Sequence, residues 1–120
     1  MERLHFTMRL NDGQVDEYER RHAEVWPALI ADLQAAGWRN YSLFRHDLTV
    51  HGYAECHPDI ATAQAAMTGS EANAEWQAWF LDVIDQTPVD GPVVQAAELW
   101  HMPEQDPEPT QPGVAGSCPD

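Results

Sequence analysis

Apolar and polar residues alternate strictly at the start of the chain: Leu4, Phe6, Met8 and Leu10 fall on one side, Arg3, His5, Thr7 and Arg9 on the other. A period of two with one apolar face predicts a half-buried strand over residues 3–10. The period then changes. Val15, Tyr18, His22, Val25, Leu29 and Leu33 recur at spacings of three and four, which predicts a helix running to Ala36 with those residues on its core-facing stripe. Asn11, with Gln14 three residues on, has the spacing of a capping box, and Asp12, Asp16 and Glu17 suit the positive end of the helix. Gly37 suits the left-handed C-terminal cap. Pro27 has no N–H for the carbonyl of Ala23, so the helix either kinks within 23–26 or ends and restarts with Pro27 in its first turn.

After Gly37, Trp38–His46 and Thr49–Cys56 read as two strands of a hairpin turning at Asp47-Leu48. Residues 59–68 are alanine-rich and helical by propensity, Gly69 interrupts, and Ser70 begins a second helical stretch to about Ile84 with Trp76, Trp79, Phe80 and Val83 on one face. Pro88 and Gly91-Pro92 end it, and Val93–Met102 reads as the last strand. The order β-α-β-β-α-β predicts an α+β, ferredoxin-like fold: a four-stranded antiparallel sheet with its helices on one face. The other face is then uncovered, and packing two such sheets together predicts a homodimer, a dimeric α/β barrel.

Composition narrows the function. The chain has 120 residues, six basic residues, all arginine, and a formal charge of −14, which excludes a positive footprint for nucleic acid or anionic membranes. No run of 18 apolar residues occurs and the first residues lack a secretory pattern, so a cytoplasmic protein is expected. Cys56 and Cys118 fall in a strand and in a polar tail and suggest no disulfide framework. From Pro103 the composition shifts: the last 18 positions hold five of the nine prolines, four acids and no base. The expected organisation is one domain over residues 1–103 and a disordered acidic tail over 104–120.

Three constellations carry candidate chemistry. Tyr18 and His22 share the inward stripe, Tyr41 lies on the following strand and Trp76 on the later helix, so all four can face one layer between helices and sheet. Aromatic walls with a histidine suit a small polar ligand, because imidazole transfers protons near neutral pH and aromatic faces suit the C–H faces of a sugar ring. A satisfied core histidine among core aromatics is the plain alternative, and the residues alone leave both open. His46, His51, Cys56 and His57 lack the spacing of a metal motif and read as loop and strand residues. The stripe Trp76, Trp79, Phe80 and Val83 reads as core apart from Trp76. Arg20 and Arg21 lie off the inward stripe in i,i+4 pairs with Glu24 and Glu17, and are expected to be solvated supports.

The pattern Tyr18-x-x-Arg-His22-x-x-Val-Trp26-Pro27, with Gly37-x-x-Asn40-Tyr41, Trp76 and Met102-Pro103, resembles the L-rhamnose mutarotase family of dimeric α/β barrels over roughly residues 3–103. The resemblance implies interconversion of the α and β anomers of L-rhamnose or a related deoxy-sugar without cofactor or metal. It implies His22 as proton donor and Tyr18, Tyr41 and Trp76 as sugar contacts; from its place on the inward stripe His22 is expected to act as the acid at the ring oxygen, with Tyr18, Tyr41 or a bound water as the base. The family can carry a second tryptophan directly after the first, where this chain has Gln77. A cofactor-free monooxygenase or cyclase on the same barrel, and a non-enzymatic small-molecule-binding dimer, are the alternatives.

Overall fold

The alternation at the start of the chain forms strand β1, Glu2–Arg9, with Leu4 and Phe6 buried. The computed structural model describes residues 1–103; the acidic tail and Cys118 lie outside the described residues. Around β1 the chain sets out α1 (Val15–His22), α2 (Pro27–Ala35), β2 (Trp38–His46), β3 (Thr49–Cys56), α3 (Ile60–Ala66), α4 (Glu71–Trp79) and β4 (Val93–Ala96). The strands form one antiparallel sheet in the order β2-β3-β1-β4, the ferredoxin-like arrangement expected from the sequence.

Each helical stretch is divided in two. The first ends at His22 and restarts with Pro27 as the first residue of α2, so the ring sits where its missing N–H costs nothing. In the second, Asp59 and Ser70 cap α3 and α4 by accepting from the backbone N–H of Thr62 and Asn73. The capping box at Asn11 does not form. Its side chain donates instead to the carbonyl of Asp82 at 3.1 Å, a turn spans residues 11–14 with Gly13 at φ +80°, and α1 starts at Val15 without a side-chain cap.

The last strand is shorter than its sequence suggests. It ends at Ala96, and beyond it Arg3 holds the chain side by side through Glu98 at 3.7 Å and His101 at 3.0 Å, while Leu99 and Trp100 stay exposed and gain nothing from a ladder.

The helices cover the face carrying Leu4, Phe6, Val50, Ala54 and Cys56. Two apolar clusters result. Leu4, Phe6, Ala54 and Cys56 pack with Ala63 of α3; Val50 packs with Leu10, Tyr18, Phe80 and Val83; Met8 and Leu43 touch both. Gly52 faces Phe6 across the ladder, and a Cβ there would lie 2.1 Å from the ring, so only glycine lets that ring lie flat on the sheet. The opposite face presents His5, Thr7, His51, Tyr53, Phe44 and Val94, and no described element covers it. No described helix is long and apolar enough to cross a membrane.

Candidate functional site

Between the two apolar clusters, under α1, α2 and α4, lies a cleft of about 820 Å³. That is within the usual size of small-molecule sites. Tyr18, His22, Tyr41 and Trp76, the four residues singled out by the sequence, all line it.

Tyr18 and His22 come from the last turn and a half of α1. Their rings stack at 4.3 Å between centroids, and both meet Phe80, at 5.7 and 5.0 Å. The His22 Nδ1 lies 3.0 Å from the Tyr18 carbonyl oxygen. A carbonyl only accepts, so Nδ1 carries the proton and Nε2 keeps its lone pair, with no partner among the described residues. The carbonyl is one turn back inside α1 rather than one freed at the proline break. Burial lowers the pKa of His22; the bond to the carbonyl pulls upward and is the smaller effect.

Tyr18 is buried, at 4% exposure, and its hydroxyl has no hydrogen-bond partner among the described residues. An orphaned buried hydroxyl costs stability unless something else satisfies it, and here the open side is the cleft. Burial raises the pKa of Tyr18, with a further rise from nearby Tyr41. Tyr41 keeps 39% of its surface accessible, and burial among the cleft walls pushes its hydroxyl up to about 12. Both phenols are therefore neutral O–H groups near neutral pH.

A register shift between Arg39 and Ser42, with Asn40 at φ +50°, sets where Tyr41 points. Trp38 and Tyr41 are three apart and would face opposite ways in a regular strand. The irregularity puts both on the cleft, 5.2 Å apart.

Trp76 makes the far wall, edge-on to His22 at 5.2 Å and backed by Trp26 at 5.0 Å. Ser70 donates to Asp32 at 2.7 Å while capping α4, which ties α2 to α4 over the cleft. Trp79 does not line the cleft. It stacks on Trp26 at 5.5 Å and lies under the Arg21 guanidinium, 4.8 Å from its centroid, so it does not take the place of an aromatic at Gln77.

Arg21 departs from the expected solvated support. It is buried, donates to the Trp79 carbonyl at 2.5 Å and the two Asp82 oxygens at 3.2 and 3.3 Å, and keeps its pair with Glu17 at 2.7 Å. The stretch after α4 folds back over α1, which a stripe drawn on α1 alone does not show. Arg20 is solvated as expected but pairs with Glu17 rather than Glu24. The two arginines hold the Glu17 carboxyl down at about 2.

The histidine and cysteine set is dispersed. His46 and His57 are exposed, Cys56 is core with its thiol pushed up by burial, and His51 meets His5 on the uncovered sheet face at 3.3 Å. Among the described residues no three His, Cys, Asp or Glu side chains are grouped to hold a metal ion.

A histidine with a free ring nitrogen beside an unpartnered phenol, walled by tryptophan, can exchange protons with a hydroxyl-bearing ligand. A family model described as L-rhamnose mutarotase matches residues 3–104. The chain belongs to the L-rhamnose mutarotase family. It is 33% identical over 105 residues to an L-rhamnose mutarotase of Paraburkholderia phymatum, covering 84% of this chain and 97% of that one. It is 35% identical over 103 residues to one of Burkholderia orbicola, covering 85% and 99%. Among solved structures it resembles an L-rhamnose mutarotase from Formosa agariphila, with a TM-score of 0.70, 28% identity and coverage of 86% and 100%. A type-II polyketide cyclase, tetracenomycin F2 cyclase from Streptomyces glaucescens, shares the fold at TM-score 0.60 and 16% identity, and that likeness carries fold alone.

The cleft amides that the pattern of positions missed are Gln34, Gln64, Asn73, Gln86 and Gln95, whose only trace is that Asn73 lies one turn before Trp76 on the same helix face.

Proposed function

We propose that this protein interconverts the α and β anomers of L-rhamnose in the cleft by acid–base catalysis at His22. The observation that carries the reading is the His22 Nδ1 bond to the Tyr18 carbonyl, which leaves Nε2 basic beside the unpartnered Tyr18 hydroxyl. Family membership supports the substrate, since the similar proteins bear the name L-rhamnose mutarotase.

Anomers exchange through the open aldehyde. His22 Nε2 takes the proton of the anomeric hydroxyl, that O–H electron pair becomes the second C1–O bond, and the C1–O5 bond breaks with its electrons going to O5. The proton ends on O5. Both oxygens are bonded to C1, so one imidazole can take the proton from one and deliver it to the other, acting as the proton donor in the second half. The Tyr18 and Tyr41 hydroxyls donate to the oxygen that is charged at the moment. C1 then rotates, and the same steps in reverse close the ring on the other face. Trp76 holds the sugar against His22 by its C–H face.

The reading includes a homodimer through the uncovered sheet face, where Phe44 and Val94 are exposed, 61% and 46%. It also includes a cytoplasmic location, with which the buried Cys56 thiol, unpaired among the described residues, is in keeping. The test is anomer exchange of L-rhamnose followed by saturation-transfer NMR, comparing the wild-type chain with His22→Ala. Exchange should fall by about 100- to 10,000-fold. A folded alanine variant with undiminished exchange removes His22 from the mechanism.

A further inference from the structure

The inner strands of the sheet, β1 and β3, each carry one histidine on the face turned away from the cleft, His5 and His51. His5 stands opposite Tyr53 and His51 opposite Thr7, so the two histidines are diagonal neighbours across the ladder. The diagonal brings His51 Nδ1 to 3.3 Å from His5 Nε2, with ring centroids 5.4 Å apart. That is long for a hydrogen bond between two rings. It matches another geometry: two nitrogens bound at about 2.0–2.1 Å to one tetrahedral ion stand roughly 3.3 Å apart. With the protons on His5 Nδ1 and His51 Nε2, both facing nitrogens offer lone pairs to a single point.

Two imidazoles fill half of a tetrahedral shell, and their own chain has no third donor placed to join them. Tyr53 donates to Glu55 at 2.9 Å, Glu55 also accepts from Asn40 at 2.9 Å, and Arg3 is turned to Glu98 and His101. Among the described residues no three metal-binding side chains are grouped. A second copy can supply the missing half. Both histidines are on inner strands, and the row through His51 and Thr7 ends in the exposed side chains of Phe44 and Val94. In a self-complementary contact, the patch on the two-fold axis meets itself. Packed sheets stand about 10 Å apart, which places their midplane about 5 Å above either one, within reach of an imidazole and its metal bond of about 2 Å.

We infer that His5 and His51 form half of a site for a divalent transition ion of the zinc class, completed by the same pair of a second copy, so that one ion bridges two chains. Imidazole nitrogen suits such ions, and the chain's charge of −14 favours a cation. Neither histidine lines the cleft, so the ion acts on assembly and not on the reaction. The inference rests on the homodimer of the proposed function and adds a ligand to its interface.

The experiment titrates the full chain, made without a histidine tag and stripped by chelator, with Zn²⁺ in a calorimeter, and measures sedimentation velocity with and without the ion. His5→Gln and His51→Gln are run beside it, with circular dichroism to confirm folding; both positions are on the face away from the core. The expected stoichiometry is one ion per two chains, lost in each variant, and saturating Zn²⁺ should lower the dimer dissociation constant of the wild type at least tenfold. One ion per chain, binding that survives in both folded variants, or no binding at micromolar Zn²⁺ overturns the site. A wild-type dimer that forms equally well without the ion and binds none overturns the site and leaves the homodimer standing. A wild-type chain that is monomeric with and without Zn²⁺ overturns both.

Discussion

The imidazole of His22 donates from Nδ1 to the carbonyl oxygen of Tyr18, 3.0 Å away and one helical turn back. One bond thereby fixes the tautomer, aims the ring and ties the two residues that share the cleft. Burial lowers the pKa of His22, so the ring is neutral at pH 7 and its Nε2 is a base.

A pH profile follows. With His22 acting first as a base, kcat/KM for anomer exchange should be flat near pH 7 and fall on the acid side through an apparent pKa below 6.5. The sign for stability is the same. The unfolded chain takes up the His22 proton at a higher pH than the folded one, so this contribution to stability is present above the unfolded value and lost as pH falls through the folded one. Exchange rates and denaturant midpoints measured across this range check both. An acid limb centred at or above pH 7 would contradict the assignment.

Tyr18→Phe should separate stability from activity. It removes a buried hydroxyl that has no partner among the described residues, so stability should hold or rise by about 1 kcal/mol. Activity should move the other way, falling by about 100-fold if the hydroxyl serves the charged oxygen of the substrate. Urea unfolding and exchange rates on the same preparation decide. Loss of stability with full activity would make the hydroxyl structural.

Arg21 positions rather than reacts. It spans Glu17, Asp82 and the Trp79 carbonyl, and so fixes the end of α1, with its Tyr18–His22 pair, against the end of α4. Arg21→Ala should destabilise by about 2 kcal/mol, a value held down by the exposure of Asp82, and should lower kcat more than it raises KM. Arg21→Lys keeps the charge but not the fork, and should recover part of the stability. Equal exchange parameters in both variants and wild type would show that the clamp does not reach the site.

The strands were legible because their inward residues obey a period of two, and Leu4, Phe6, Val50 and Cys56 are buried where that period puts them. The Tyr18–His22 pair was legible for the same reason on a helix. Tyr41 was reachable only as a residue type on a strand, since the irregularity between Arg39 and Ser42 that turns it inward leaves no trace in the hydrophobic pattern. The burial of Arg21 depends on where residues 79–82 return in space, a long-range contact that no local periodicity encodes. The final strand was overestimated at Leu99 and Trp100, whose apolar character suits a strand but which find nothing to pack on among the described residues.

Phe44 gives the test of assembly. It stands on the uncovered sheet face opposite His51, 61% exposed, while its neighbour Leu43 turns to the cleft. A phenylalanine there gains about 2 kcal/mol only if another surface covers it. Phe44→Asp places a charge on the edge strand β2 of the uncovered sheet face and, with the same change on the second copy, adds like charges to one apolar layer. Its alternating position keeps it out of the cleft, so the fold of the single chain should survive. Sedimentation velocity should show a wild-type dimer and a variant shifted toward monomer by at least 100-fold in dissociation constant, with circular dichroism unchanged. A wild-type chain that sediments as a monomer at micromolar concentration, or a variant as dimeric as wild type, would place the interface elsewhere or remove it.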